Sequence, residues 1–412
     1  MYVKRTGLLC GLTLFERGQK RMTKEQQQLI HLIACQLFGT ETKNSDEADW
    51  HIVLREARQQ TVFPLAFQAI KASIPAEELP QYATEYAANQ ASYIRNLHDH
   101  AELDKLLDGI PYVILKGQAS ASFYPDPMLR SMGDVDFLVH LEDREKVDQL
   151  LRAEGFQQLS GAEKHEYHWR YTKNQMTAEL HWDLPGVPES MKNRFPADAV
   201  NTAEERSFQQ GKMMFPSLFY HGLVLLLHTV SHMTGCGIGL RHLCDWLVFE
   251  NSVPEREFLE CFEKRLKDIG LWTFAKVMTR IGVLYFGTKR SWCLDADEEV
   301  CRGLLEDIFS GGNFGVKDDT RRSQDKLSKN QVTKSVQGSV IINGLVSINE
   351  KAKRDYPFCR NHAILRPAGW AAVVGQYVIR VIGGKRTNVF DRKTMDAAVN
   401  RQKLYAELKL FE

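Results

Sequence analysis

Chemistry can be built on two aspartates, Asp134 and Asp136, separated by one valine, and on a glutamate, Glu179, in the run Thr177-Ala178-Glu179-Leu180-His181. In an extended chain side chains alternate between faces. Asp134 and Asp136 therefore share one face and Val135 and Phe137 the other, while Glu179 shares a polar face with Thr177, His181 and Asp183. Paired acids repel unless a cation stands between them. Divalent magnesium or manganese is the natural partner, because hard cations take carboxylate oxygens and bridge to phosphates. About three converging carboxylates are what two such ions need to stabilise the attacking and leaving oxygens of a phosphoryl or nucleotidyl transfer. Upstream, a short apolar run at 112–115 ends in Lys116-Gly117. There backbone N–H groups can cradle phosphates while Lys116 and Arg130 neutralise them. The plainer reading makes Asp-Val-Asp a solvated strand edge, Lys116 a surface cation, and Arg130 a loop brace through Asp126 or Asp134. The three acids together, with Lys116-Gly117 ahead of them, favour metal binding.

These residues need a sheet to hold them. Residues 112–115, 134–139, 156–159, 167–171 and 176–182 read as strands, the last two joined by a turn at 172–175. Residues 142–154 read as a helix packed on the sheet and capped by Gly155. The fold class expected is α+β: a small mixed-sheet core at 110–185, flanked by all-helical regions on its N-terminal and C-terminal sides. The further divisions are a loose extension at 1–22, a helical region at 23–109, a helical domain at 186–309, a polar loop at 310–338 and a helical region at 339–412. Within these, Thr23 reads as a helix N-cap, a long helix spans 80–107, residues 186–211 read as loop, and Gly235, Gly237 and Gly239 read as a hinge.

Composition narrows the partners. The chain has 412 residues, 53 Lys plus Arg against 52 Asp plus Glu, and thus a formal charge of +1 that offers no global field to a long polyanion. A nucleic-acid partner is disfavoured. The apolar run at 218–230 carries Tyr220, His221 and His228 and is too short for a membrane span, so no membrane partner is expected. Eight cysteines without C-x-x-C spacing suggest reduced thiols and a cytoplasmic location. His228 and His232 stand four apart on a helix, without the H-E-x-x-H pattern or a cysteine partner that zinc sites show. Arg241 and Asp245 repeat that spacing and read as a helix-surface pair. The basic residues Lys317, Arg321, Arg322, Lys326, Lys329 and Lys334 read as a solvated loop.

The motifs LKGQASASFYPDPMLRSMGDVDFLV, AELHW and LHTVSHMTGCGIGLRHLCDWL resemble the uncharacterised bacterial nucleotidyltransferase family of the polymerase-β-type superfamily. The likeness runs from about Asp49 onward. It implies a metal-dependent transfer of a nucleoside monophosphate from a nucleoside triphosphate to an unknown hydroxyl acceptor, a small molecule or a protein. Magnesium or manganese would be the cofactor. Gly117 would belong to the phosphate-cradling motif, Asp134 and Asp136 would be the paired metal ligands, and Glu179 the third carboxylate. The superfamily's glycine-serine pair is here Gly117-Gln118, with Ser120 two residues on, so the phosphate-binding candidates are Lys116, Gly117, Gln118, Ser120 and Arg130. The resemblance also implies a helical wall along the cleft at Arg241 and Asp245, and His181 is a further wall candidate. The competing expectation is a catalytically weak nucleotide-binding or partner-binding protein on the same fold.

Overall fold

A computed structural model of the chain describes residues 22–41, 48–159, 167–184, 186–187, 195–208, 211–318, 320–321, 324, 340–383 and 392–412. The extension at 1–22 lies outside these residues except for Met22, as do Arg322, Lys326, Lys329 and Lys334 of the polar loop.

The architecture is α+β, with helical regions at both ends. Helix α1 (Lys24–Phe38) starts at a capping box between Thr23 and Gln26 and stops at Gly39 in the left-handed conformation. Helices α2 (Trp50–Gln59) and α3 (Phe63–Ile70) follow. Pro64 sits in the first turn of α3, where its missing N–H costs nothing. The 28-residue α4 (Leu79–Leu106) then leads into the sheet.

Five strands form that sheet: β1 (Tyr112–Ile114), β2 (Val135–Val139), β3 (Gln157–Gln158), β4 (His168–Lys173) and β5 (Met176–His181), in the order β1-β2-β5-β4-β3. The β2–β5 pair is parallel and the other three pairs are antiparallel. Between β1 and β2 lies the four-residue α5 (Gln118–Ala121), and α6 (Arg144–Ala153) follows β2. The turn between β4 and β5 is shorter than the sequence suggests. Lys173 pairs with Met176, leaving only Asn174, at φ 55°, and Gln175 in the loop. This register sets Arg170 opposite Glu179.

Residues 186–211 are not simply loop. They contain α7 (Pro196–Asn201) and β6 (Glu204–Phe208), which pairs with β7 (Gly211–Phe215) in a hairpin. The Glu204-Glu205-Arg206-Ser207 run shows no apolar alternation because β6 is almost wholly exposed. Helices α8 (Leu218–Met233), α9 (Leu240–Ser252), α10 (Glu255–Ile269), α11 (Trp272–Ile281) and α12 (Glu298–Gly311) follow. The C-terminal region holds α13 (Val340–Asp355), α14 (Pro357–Asn361), α15 (Arg366–Ile382) and α16 (Arg392–Glu407). No described helix is long and apolar enough to cross a membrane.

Two cores explain where the site must lie. One gathers α1 to α3, α8 to α12 and α16, with Leu29, Phe63, Leu223, Trp246, Phe274 and Tyr405 among its members. The other lies between the sheet and α4 and α6, through Val135, Phe137, Leu151, Ala178, Leu180 and Leu103. Because strand residues alternate, Asp136, Glu179 and His181 point away from the second core, and Leu138 on their side of β2 joins the first. The acids therefore sit at the seam between sheet and helices.

Candidate active site

The parallel register of β2 and β5 places Asp136 directly opposite Glu179, and Leu138 opposite His181. Asp136 is 5% exposed. Its Oδ1 lies 2.9 Å from Nζ of Lys116 and 3.3 Å from Nε2 of His181, which is also 3.5 Å from Glu179. The ligand atoms of Asp136, Glu179 and His181 all fall within 4.8 Å of one another. Asp134, one residue before β2, is more exposed and lies 3.7 Å from Arg170, which is also 2.8 Å from Glu179.

Charge in this cluster is shared unequally. Burial alone raises a carboxyl, but the His181 ring, with Lys116, holds Glu179 down to about 2. Burial alone lowers an imidazole, yet Asp136 and Glu179 outweigh it and raise His181. His181 thus lies between two carboxylates that favour its charged form.

Opposite the sheet stands α9. Asp245 is buried, and both its oxygens are taken by the fork of Arg130, at 2.8 Å each, with the Tyr124 hydroxyl donating to Oδ1 at 2.8 Å. Burial would raise Asp245, but Arg130 and Arg241 hold it low. The expected partners of Arg130, Asp126 or Asp134, are replaced by Asp245, and Asp245 is no helix-surface pair with Arg241. Arg241 donates to the Ser131 carbonyl at 3.5 Å and faces the cleft.

The cleft between these walls is lined by Lys116, Gly117, Asp134, Asp136, Arg130 and Arg241, together with His228 and His242. Gly117 has φ 62° and ψ −111°, a conformation open to glycine, and a Cβ there would meet only ordinary contacts at 3.7 Å from Asn96 and His100. Backbone shape, not space, requires the glycine. Gln118 and Ser120 do not line the cleft. The Gln118 amide donates to Asn96 on α4 at 3.1 Å, and Ser120 is 1% exposed.

Sequence reasoning missed Arg170 and His242. The two-residue turn after β4, had its length been read, puts Arg170 beside Glu179. His242 reaches the cleft only because α9 folds back on α8, for which the sequence carries no local signal. The glycines between these helices are a packed turn and not a hinge. The N–H groups of Gly235, Cys236 and Gly237 all donate to the His232 carbonyl, at 2.8 to 3.1 Å, and a Cβ on Gly239 would lie 2.7 Å from Cβ of Asn313. Two members of the basic run are not solvated either. Lys317 binds Glu56 at 2.7 Å, and Arg321, 1% exposed, binds Asp307 at 2.6 Å.

Carboxylates paired across adjoining strands, under a lysine-glycine strand end, are what a phosphoryl- or nucleotidyl-transfer fold is built to present. A family described as uncharacterised nucleotidyltransferase matches residues 46–287, more than half of the chain, and the chain belongs to that family. No curated protein and no solved structure matches it.

Proposed function

We propose that the chain is a metal-dependent nucleotidyltransferase that moves a nucleoside monophosphate from a nucleoside triphosphate to a hydroxyl acceptor. The observation that carries this reading is the register of Asp136 against Glu179, at the seam where Lys116, Gly117 and Arg241 converge. The donor set fits magnesium or manganese: Asp136 and Glu179 are close enough to share an ion, and Asp134 borders the same cleft. When bound, such an ion would polarise the α-phosphate and lower the pKa of the acceptor hydroxyl.

The chain's own residues supply the rest. Lys116 and Arg241 neutralise the phosphate oxygens, and the backbone at Gly117 lets them approach. Arg130 is a positioning residue that ties the 126–133 loop to α9. His181 orients Asp136 and Glu179. The acceptor oxygen bonds to the α-phosphorus as the bond to pyrophosphate breaks, and the hydroxyl proton leaves to solvent or a nearby base. Glu179, held to about 2, suits a ligand better than a proton acceptor. A cytoplasmic location and a non-nucleic-acid acceptor belong to the same reading, supported by scattered cysteines and a net charge of +1.

The alternative, a catalytically weak nucleotide-binding or partner-binding protein, has one observation in its favour: Lys116 and His181 already contact Asp136. Incubation with each labelled nucleoside triphosphate, magnesium and a cell extract, followed by mass identification of labelled species, decides between them. A labelled acceptor with release of pyrophosphate supports the transferase. Metal-dependent nucleotide binding without any labelled product, across extracts, overturns it.

A further inference from the structure

On the helical side of the cleft, His228, His232 and His242 offer ring nitrogens that all lie within 4.8 Å of one another. His228 and His232 stand one turn apart on α8, with ring centroids 4.2 Å apart, and His242, in the first turn of α9, lies 5.5 to 5.6 Å from both. We propose that these three imidazoles form a second metal site, for a zinc-class dication, separate from the carboxylate site.

Two independent features point to a ligand. His242 is 4% exposed, yet among the described residues neither ring nitrogen finds a well-formed hydrogen bond, which leaves buried polar atoms that an ion would satisfy. His232 is fixed from both ends. Its carbonyl accepts three N–H groups from the following turn, and its Nδ1 lies 3.5 Å from Sγ of Cys236, which leaves Nε2 for an ion.

Ligand chemistry selects the metal. Neutral imidazole suits zinc and its neighbours, whereas magnesium prefers oxygen. Zinc–nitrogen bonds of about 2.1 Å would draw tetrahedral ligand nitrogens to roughly 3.4 Å, a contraction within reach of ring rotation. Three protein ligands leave a fourth position, as in zinc sites that hold water or substrate. Lys116 stands 3.4 Å from Nε2 of His228, and Asp136 gives its ammonium an anchor when a dication arrives. The ion would staple α8 to α9 next to Arg241. This inference does not depend on the transferase reading.

The test is cobalt titration of the full-length, chelator-stripped protein in excess magnesium and without nucleotide. One equivalent should bind with the intense visible bands of a four-coordinate ion, and zinc should displace it. His232→Gln and His242→Gln should each weaken binding at least about a hundredfold. His221→Gln, at a buried histidine outside the trio, should retain it and so control for general loss of fold, and Asp136→Asn should weaken it far less than either trio substitution. No cobalt or zinc binding by the wild-type chain overturns the proposal. So does binding that survives both trio substitutions but vanishes in Asp136→Asn, which would assign the ion to the carboxylates. Transfer activity is read separately, so an inactive enzyme with an intact imidazole site, or the reverse, separates the two readings.

Discussion

The two walls of the cleft carry opposite balances of charge and contact. On the sheet wall, Asp136 and Glu179 each take one short contact, 2.9 Å from Lys116 and 2.8 Å from Arg170, and one longer contact from His181, at 3.3 and 3.5 Å, while Arg170 stands 3.7 Å from Asp134. On the helical wall, Asp245 is saturated by a bidentate arginine and a tyrosine hydroxyl, each at 2.8 Å. A carboxylate whose near lone pairs are filled by its own chain holds structure together. Carboxylates with at most one close partner, and longer contacts besides, keep lone pairs for an incoming cation. The number of acids therefore says less about chemistry than how completely the protein satisfies them.

The sharpest way to break this contrast is to neutralise one acid on each wall. Asp136→Asn should lower nucleotidyl transfer at least about a thousandfold, some 4 kcal/mol of barrier. Its stability cost should be the smaller, about 1 to 2 kcal/mol, because Lys116 is partly exposed and can turn to solvent while His181 keeps Glu179. Asp245→Asn should do the reverse in stability: about 3 kcal/mol or more lost, because Arg130 remains buried without its counter-charge. Transfer assays and urea denaturation on both variants check this. Equal stability losses, or full activity in Asp136→Asn, would erase the distinction between the walls.

The sheet wall was more legible than the helical wall, for a physical reason. A period of two assigns faces without any knowledge of neighbours, so Asp134, Asp136, Glu179 and His181 declare themselves in the sequence. Arg170 required the length of one turn, which slides the register of β4 against β5. The helical wall depends on packing between residues over a hundred positions apart. Arg130 meets Asp245, and Lys317 meets Glu56, through contacts that no local pattern encodes. The same limit hid the β6–β7 hairpin, whose exposed strand has no apolar alternation to show, and turned a packed glycine turn into an expected hinge.

A second saturated acid extends the contrast into pH. Burial alone would raise Asp307, but Arg321 and Arg401 hold it down to about 2 from an ordinary value of 3.8. A depressed folded-state pKa contributes stability above the unfolded value and loses it as pH falls through the folded one. Between about pH 4 and pH 2 the wild-type chain should thus lose roughly 2 kcal/mol through this group. Asp307→Asn should be less stable at neutral pH, with two buried arginines deprived of this counter-charge, yet show a flatter acid limb. Glu179, shifted in the same direction, is common to both proteins and cancels in the difference. Parallel acid limbs in denaturation curves at stepped pH would mean that the arginines do not hold Asp307 as the geometry requires.

The smallest effect tests how far saturation goes. Tyr124→Phe removes one donor from Asp245 and leaves the Arg130 fork in place. A hydrogen bond to a charged group contributes about 1.5 to 3 kcal/mol when its loss leaves the acceptor wanting. Here Oδ1 keeps Arg130 Nε, so the loss should fall to about 1 kcal/mol. Nucleotide affinity should not change, because Tyr124 is 4% exposed and does not line the cleft. The sheet wall predicts otherwise for its exposed cation: Arg170→Met, which removes a partner from both Asp134 and Glu179, should leave stability almost unchanged but tighten divalent-metal binding by a few fold, measured by calorimetry. If Tyr124→Phe alters metal or nucleotide affinity while Arg170→Met does not, the helical wall is the chemically open one and the assignment of roles must be exchanged.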